Sequence, residues 1–201
     1  MRRLLPLTRI AGVPVTLHWS VAAIAFLMLL GALENAWDTL SLVASYLGVM
    51  LLHEWGHLLA ARRRRHAVYA IELYPIHGLT RCEAARSTYD ACVIAWGGVL
   101  AQLAVGVPVI TATRVFGFTP WGPLNAPLAM FGYFSVVVAV FNLLPLSRLD
   151  GTTAWRIVPE WWRRWRTRRP KAARPARPVR LPTAPREGEA RGTVHKGPWV
   201  H

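Results

Sequence analysis

Two histidines and a glutamate stand close together in the second apolar stretch of the chain. His53-Glu54-Trp55-Gly56-His57 is an HExxH motif. On a helix, residues four apart lie on one face, so both imidazoles can bind a single metal ion. Zinc lowers the pKa of a bound water towards about 7, and Glu54 is close enough to take its proton without being a ligand. The motif predicts a hydrolytic zinc site with Glu54 as general base.

The motif also lies deep within its apolar segment. The segment ends at Arg62, so His53 stands roughly 13 Å along a helix axis from the first of four consecutive arginines. Ionisable groups are costly at such a depth in a bilayer, and by default they mark a functional site. The alternative is a purely structural role, in which the three polar side chains only satisfy one another's hydrogen bonds in the core of a helix bundle. The cost of burying ionisable groups in a bilayer argues against this alternative.

A catalytic zinc site normally has three protein ligands, so the two histidines need a partner from elsewhere. Asp150 is the leading candidate because it stands at the end of the fourth apolar stretch that is expected to lie on the same side of the membrane as the motif. Asp90 lies on that side too, but close to the membrane edge. His66 and His77 are further alternatives, although both fall in a loop.

The composition is typical of a multi-span membrane protein. Hydrophobic residues make up 53% of the 201 residues and charged residues 17%, whereas soluble domains carry about 25% charged residues. A helix needs about 20 residues to cross a bilayer. Four stretches are long enough: Val15 to Leu33, Thr39 to Ala61, Ala91 to Thr113 and Leu124 to Leu146. We therefore expect an all-α polytopic membrane protein with about four transmembrane helices.

The segment between the second and third stretches has a different pattern. Residues 67–74 (AVYAIELY) are rich in β-branched and aromatic side chains, and Pro75 to Gly78 provide a turn before a second short run from Leu79 to Glu83. We expect a short β-hairpin at the cytoplasmic face.

The ends of the chain complete the predicted organisation. Residues 1–14 form a cytoplasmic N-terminus and residues 15–150 the transmembrane metalloprotease core. Residues 151–166 carry Trp161, Trp162 and Trp165 among arginines and are expected to form an interfacial helix on anionic lipid. Residues 167–201 are a basic cytoplasmic tail too poor in large apolar residues to fold around a core.

The distribution of arginine predicts the orientation. The N-terminus, the loop after the second stretch and the C-terminal tail are rich in arginine, and the opposite loops are not. Both termini are therefore expected in the cytoplasm of a multi-pass cell-membrane protein. The net charge of +14 is concentrated beside apolar stretches and in the tail, and no nucleic-acid-binding module accompanies it. We therefore expect no nucleic-acid partner.

A second motif suggests a family. Asn142-Leu-Leu-Pro145-Leu-Ser-Arg-Leu149-Asp150-Gly151 has the form NxxPxxxLDG. Together with HExxH it resembles the site-2 protease family of intramembrane zinc metalloproteases. Val15-Thr-Leu-His18-Trp19-Ser20 also looks like the usual opening of that family's first span. The resemblance covers roughly residues 10 to 155.

The resemblance implies a role for each matching residue. Asp150 would be the third ligand of one zinc ion beside His53 and His57, and Glu54 the general base. Asn142 would hold the substrate near the scissile bond. The hairpin would match a membrane-re-entrant β element whose edge strand pairs with an unwound substrate segment.

The chain departs from the family pattern in its third span. The family often has GPxxN there, whereas this chain has Gly97-Gly98-Val-Leu-Ala-Gln102. Gln102 is the candidate to replace the amide. The pair Gly97-Gly98 is interpreted as a site of close helix packing.

The predicted function is hydrolysis of a peptide bond in or near a transmembrane segment of another membrane protein, with the active site towards the cytoplasm. The lipid bilayer and a substrate with a transmembrane helix are the expected partners. Two alternatives stay open: a catalytically inactive membrane scaffold of the same fold, and a membrane metallohydrolase acting on a lipid or small molecule.

Overall fold

The protein is a bundle of helices with a small sheet at one end. A computed structural model describes residues 4–31, 36–75, 77–147 and 149–167. Most of the predicted basic tail (168–201), the start of the N-terminus and the end of the first predicted span lie outside the described residues.

The described chain opens with strands and continues into two helices. The strands are β1 (Leu4–Ile10) and β2 (Val13–His18), and the helices are α1 (Trp19–Gly31) and α2 (Ala36–Arg63). A second pair of strands follows, β3 (Val68–Leu73) and β4 (Gly78–Cys82).

The remaining elements are helical. After α3 (Thr88–Phe116), a continuous helical run comprises α4 (Gly122–Ala129), a π-helical segment (Met130–Phe134) and α5 (Ser135–Asn142). Two short helices, α6 (Gly151–Ala154) and α7 (Ile157–Thr167), end the described chain.

The sheet is larger than the predicted hairpin. The hairpin itself, β3 and β4, is confirmed, and β1 and β2 join it to give a four-stranded sheet in the order β1-β2-β3-β4. β2 runs parallel to β3, and the other two pairs are antiparallel. The fold class of an all-α protein with one short hairpin therefore understated the β-structure.

The sheet packs on the helix that carries the HExxH motif. Val13, Val15, Ile71 and Leu73 form one buried cluster with Leu58 of α2. Alternation along the strands places these residues on a single face of the sheet. This cluster fixes the position of the sheet beside the helical turn that contains His57.

The first predicted span began too early. Residues 15 to 18 belong to β2 rather than to a helix. Val13 and Val15 are buried against α2, and β-branched residues suit a pleated strand. Hydropathy measures apolar content only. The predicted span therefore included the end of this strand together with the apolar helix α1 that follows.

Two of the four predicted spans correspond to helices that are long and apolar enough to cross a membrane. Among the described residues these are Thr88–Phe116 and Gly122–Asn142. α1 has 13 residues, fewer than the about 20 that a span needs. α2 has 28 residues, but the polar HExxH motif interrupts its apolar character. Four spans remain a prediction.

One predicted helix ends early and another is divided, and a proline contributes to each. The fourth span was predicted to reach Leu146, but the helix ends at Asn142, because Pro145 disfavours helical backbone before it. The predicted interfacial helix of residues 151–166 is divided into α6 and α7. Pro159 has no N–H to bond the carbonyl of Trp155, which favours a break in the helix at that point.

Candidate metal centre

Three potential ligand atoms meet between α2 and the segment that leads into α6. His53 Nε2 lies 2.9 Å from Asp150 Oδ2 and 3.0 Å from His57 Nε2. His57 Nε2 lies 3.2 Å from the same carboxylate oxygen. Among the described residues, these three form the group whose ligand atoms all lie within 4.8 Å of one another. The structure thus brings together the three predicted ligands from two distant parts of the chain.

The opposite ring nitrogens have carbonyl partners. His53 Nδ1 lies 3.0 Å from Gln102 Oε1, and His57 Nδ1 lies 2.7 Å from the backbone oxygen of Ile94. A carbonyl oxygen only accepts hydrogen bonds, so each neutral ring donates from Nδ1 and keeps a lone pair on Nε2. Both residues that accept these bonds belong to α3.

This donor set fits zinc. Two imidazole lone pairs and a carboxylate oxygen face one another, and a cation relieves the repulsion between these acceptors. Zinc binds nitrogen and oxygen at about 2.0–2.2 Å, and the edges of such a tetrahedron are about 3.3 Å long. The three observed separations of 2.9, 3.0 and 3.2 Å are close to that length.

Close packing of α3 against α2 encloses the two imidazoles. A Cβ atom on Gly98 would lie 2.7 Å from His53 Cε1 and from His57 Nε2, so a larger residue would enter the metal position. The residue before Gly98 is Gly97, and its backbone is in direct contact with that of Gly56 on α2. The close helix packing predicted for Gly97 and Gly98 is present, and Gly98 additionally leaves room for the ligands.

The segment that carries Asp150 is fixed to α3. Trp96 Nε1 donates to the backbone oxygen of Ala154 at 3.1 Å, and Cys92 Sγ to that of Thr153 at 3.2 Å. Gly151 lies against the carbonyl of Leu143 with no room for a Cβ atom. This contact gives a physical reason for glycine after the aspartate.

Glu54 is buried beside the ligands, and the hairpin holds its carboxylate. Thr80 Oγ1 of β4 donates to Glu54 Oε2 at 2.6 Å. Gly78, the first residue of the same strand, lies against Glu54 Oε1. A carboxylate next to a metal position, but outside the ligand set, is the arrangement that a general base requires.

The alternative ligands lie elsewhere. Asp90 accepts a hydrogen bond from Arg64 at 2.6 Å. His66 is buried near Asp90 and Glu83, at 3.7 and 3.9 Å. The amide of Ala67 donates to Glu83 and lowers the pKa of that carboxyl. Asp90 and His66 therefore belong to a polar group at the end of α2.

Among the described residues, the remaining predicted residues form no hydrogen bond with the three ligands. His77 stacks on Tyr74, which stacks in turn on His18, with ring centroids 5.1 and 5.3 Å apart. Asn142 is half-buried at the C-terminal end of α5, and its side chain forms no hydrogen bond with another described residue. Its predicted role in substrate binding stays a prediction.

Sequence reasoning missed Thr80 and the contact of Gln102 with His53. Gln102 had two signals, a polar residue one turn after Gly98 in an apolar helix and its place where the family often has an asparagine, but neither indicated a bond with His53. Thr80 is an ordinary strand residue and gave no signal.

The chain resembles proteins of known family in sequence and in fold. It is 30% identical over 184 residues to "Putative zinc metalloprotease Rip3" of two strains of Mycobacterium tuberculosis. That alignment covers 82% of this chain and 45% of the relative, so the chain spans less than half the length of the curated relatives it matches. No protein-family model matches the chain.

A solved structure shares the fold. The "Site-2 Protease from Methanocaldococcus jannaschii" matches with a TM-score of 0.59 and 20% identity, over 79% of this chain and 72% of that one. At this identity the likeness concerns the fold. Together with the homology to a named zinc metalloprotease and the convergence of His53, His57 and Asp150, it identifies the chain as a member of the site-2 protease family.

Proposed function

We propose that this protein is a zinc metalloendopeptidase that hydrolyses a peptide bond in or near a transmembrane segment of another membrane protein. The observation that carries the proposal is the meeting of His53 Nε2, His57 Nε2 and Asp150 Oδ2 beside the non-ligating carboxylate of Glu54. Metal-assisted hydrolysis requires this division between ligands and base.

The residues divide the chemistry between them. His53, His57 and Asp150 would hold one zinc ion, which supplies a Lewis acid for the scissile carbonyl and for water. Glu54 accepts the proton of the attacking water and returns it to the leaving amine. Asn142 holds the substrate near the scissile bond, a role supported by the family resemblance alone.

The edge of the sheet offers a way to bind an extended substrate. β4 is the last strand in the order β1-β2-β3-β4, so its outer edge is unpaired among the described strands. The same strand contacts Glu54 through Thr80 and Gly78. A substrate segment unwound from helix and paired with β4 would place its backbone beside the base.

The distribution of apolar and basic residues supports a multi-pass membrane location with both termini in the cytoplasm. Large apolar side chains are exposed along α1, α3 and α5, including Phe26, Leu100 and Val137. Such exposure is unfavourable in water and suits lipid. On α7, the exposed Trp161 and Trp165 lie beside arginines, which suits a membrane interface.

Replacement of Glu54 by glutamine tests the mechanism. The purified protein in lipid vesicles is assayed for cleavage of a panel of single-span membrane proteins, and its zinc content is measured. We expect Glu54→Gln to keep one zinc per chain and to lose cleavage by about 10²-fold or more, since the amide cannot accept the proton. Chelation of zinc should abolish cleavage by the parent, and added zinc should restore it.

The other results of that assay have definite meanings. Equal cleavage by the Glu54→Gln variant and the parent would contradict the mechanism. A parent that binds no zinc would favour the inactive scaffold. A zinc-loaded parent that cleaves no protein in a broad panel would favour hydrolysis of a lipid or small molecule.

A further inference from the structure

The two histidine ligands are oriented in different ways. His57 donates from Nδ1 to a backbone carbonyl, that of Ile94, which any residue at that position would supply. His53 donates from Nδ1 to the Gln102 side chain. The orientation of His53 therefore depends on the identity of one residue on another helix.

Gln102 lies at a position where an amide is otherwise unfavourable. Its side chain is fully buried on α3, and its Nε2 has no hydrogen-bond partner among the described residues. An apolar side chain of the same size would fill the space without an unpaired donor, and an unpaired buried donor reduces stability. Packing alone thus does not account for the amide, whereas the hydrogen bond with His53 does.

Asp150 makes the placement of the His53 proton critical. Its Oδ2 lies 2.9 Å from His53 Nε2, so the carboxylate is placed to accept a hydrogen bond from a proton on that nitrogen. A proton on Nε2 would occupy the lone pair that the metal needs. Gln102 Oε1 accepts at the opposite nitrogen and favours the tautomer with the proton on Nδ1.

We propose that Gln102 is a positioning residue of the metal centre: its Oε1 holds the proton of His53 on Nδ1 and so presents Nε2 to the zinc ion. The proposal rests on the metal site of the proposed function. It assigns the amide in the third span of this chain to the orientation of a ligand rather than to contact with the substrate.

Two substitutions separate the hydrogen bond from the volume of the side chain. Gln102→Met keeps an unbranched chain of similar size and removes the acceptor, while Gln102→Glu keeps an acceptor and cannot donate when ionised. Loss of such an outer partner typically weakens metal binding about 10–100-fold. For the methionine variant we expect a loss of zinc affinity of this size. For the glutamate variant we expect a zinc affinity that is within about threefold of the parent's or higher than the parent's.

The experiment uses the full chain in lipid nanodiscs and zinc alone as the probe. Zinc affinity is measured by competition with a chelator, independently of any proteolytic assay. Isotope-labelled histidine and NMR then report which nitrogen of His53 carries the proton in the metal-free protein. The matched control is Thr113→Val, a buried polar residue of α3 about 16 Å further along the helix, which should bind zinc like the parent.

The outcomes distinguish this inference from the proposed function. Weaker zinc binding by the methionine variant, with a smaller fraction of His53 protonated at Nδ1 and retained affinity in the glutamate variant, would support it. A methionine variant that matches the parent would overturn it and leave the metal site intact. If the methionine variant does not fold, the glutamate variant decides: zinc binding more than tenfold weaker than the parent's would overturn the inference. A parent without zinc would overturn both proposals together.

Discussion

At the scale of single residues, the proposed general base, Glu54, is held by a side chain from the sheet. The HExxH spacing places Glu54 near the metal position, but it does not select a rotamer for the carboxylate. Thr80 donates to Oε2 at 2.6 Å, and the space at Gly78 admits Oε1. The hairpin thus orients the Glu54 carboxylate, and we expect its two contact residues to matter for the proposed catalysis as much as the motif does.

Replacement of Thr80 by valine should therefore slow cleavage without removal of the metal. Valine has nearly the same shape and cannot donate to Glu54, so the carboxylate is no longer held in place. We expect kcat to fall about 10- to 100-fold at unchanged zinc content, since small misplacements of a catalytic group have effects of this size.

The control is Thr111→Val. Thr111 is exposed on α3 and donates only to its own helix, to the carbonyl of Val107. A Thr80→Val protein with the kcat of the parent would show that the hydrogen bond does not matter for the base.

At the scale of elements, the candidate metal centre depends on how closely α2 and α3 approach each other. Gly56 and Gly97 let the two backbones touch, and the same approach brings Gly98 and Gln102 to the imidazoles. α3 also binds the segment that follows Asp150, through Trp96. One helix therefore supports all three ligands.

A methyl group at this crossing should separate the helices. The Cβ atom of Gly56→Ala would meet the backbone of Gly97, which cannot rotate away. We expect a loss of about 1–3 kcal/mol in the free energy of unfolding, the usual cost of an overpacked interior, measured by denaturant titration in micelles.

Gly122→Ala provides the comparison for that measurement. It adds the same methyl group at an exposed position, where the nearest atom, 3.1 Å away, is the end of the Asp38 side chain. Equal stability of the two variants would contradict the importance of the crossing.

At the scale of the whole molecule, basic residues are concentrated at the end that carries the sheet. β1, the end of α2 and α7 all contain arginines, and Arg62 donates to the carbonyl of Ala11 in the first hairpin. The segment between α3 and α4 lies beyond the far end of α3 and contains no charged residue between Gly117 and Trp121. This asymmetry predicts that the sheet faces the cytoplasm.

Single cysteines can test this orientation in a background in which Cys82 and Cys92 are replaced by alanine. We expect Arg9→Cys to react with a membrane-impermeant maleimide in inside-out vesicles but not in intact cells. Thr119→Cys should react in intact cells but not in inside-out vesicles, because Thr119 lies in the segment after α3, at the end opposite the sheet. Reaction of both cysteines from the same side would contradict the orientation.

The sequence by itself determined which residues could carry the proposed chemistry. Residues four apart on a helix must share a face, so the spacing alone pairs His53 with His57. Glu54 followed from the same spacing, and Asp150 from its position and from the second motif. Local sequence also identified the hairpin, because β-branched residues on either side of a proline turn leave few other conformations.

Only the tertiary structure decided which distant residues support these groups. The contacts of Thr80 with Glu54 and of Gln102 with His53 join residues 26 and 49 positions apart, and nothing in the local pattern of either segment specifies them. The sheet also depends on contacts between distant segments. Two helices separate β2 from β3, its partner, along the chain, so local sequence predicted a membrane span for the apolar residues of β2. Spacing along a chain fixes which side chains share a face, whereas the packing of elements fixes what that face meets.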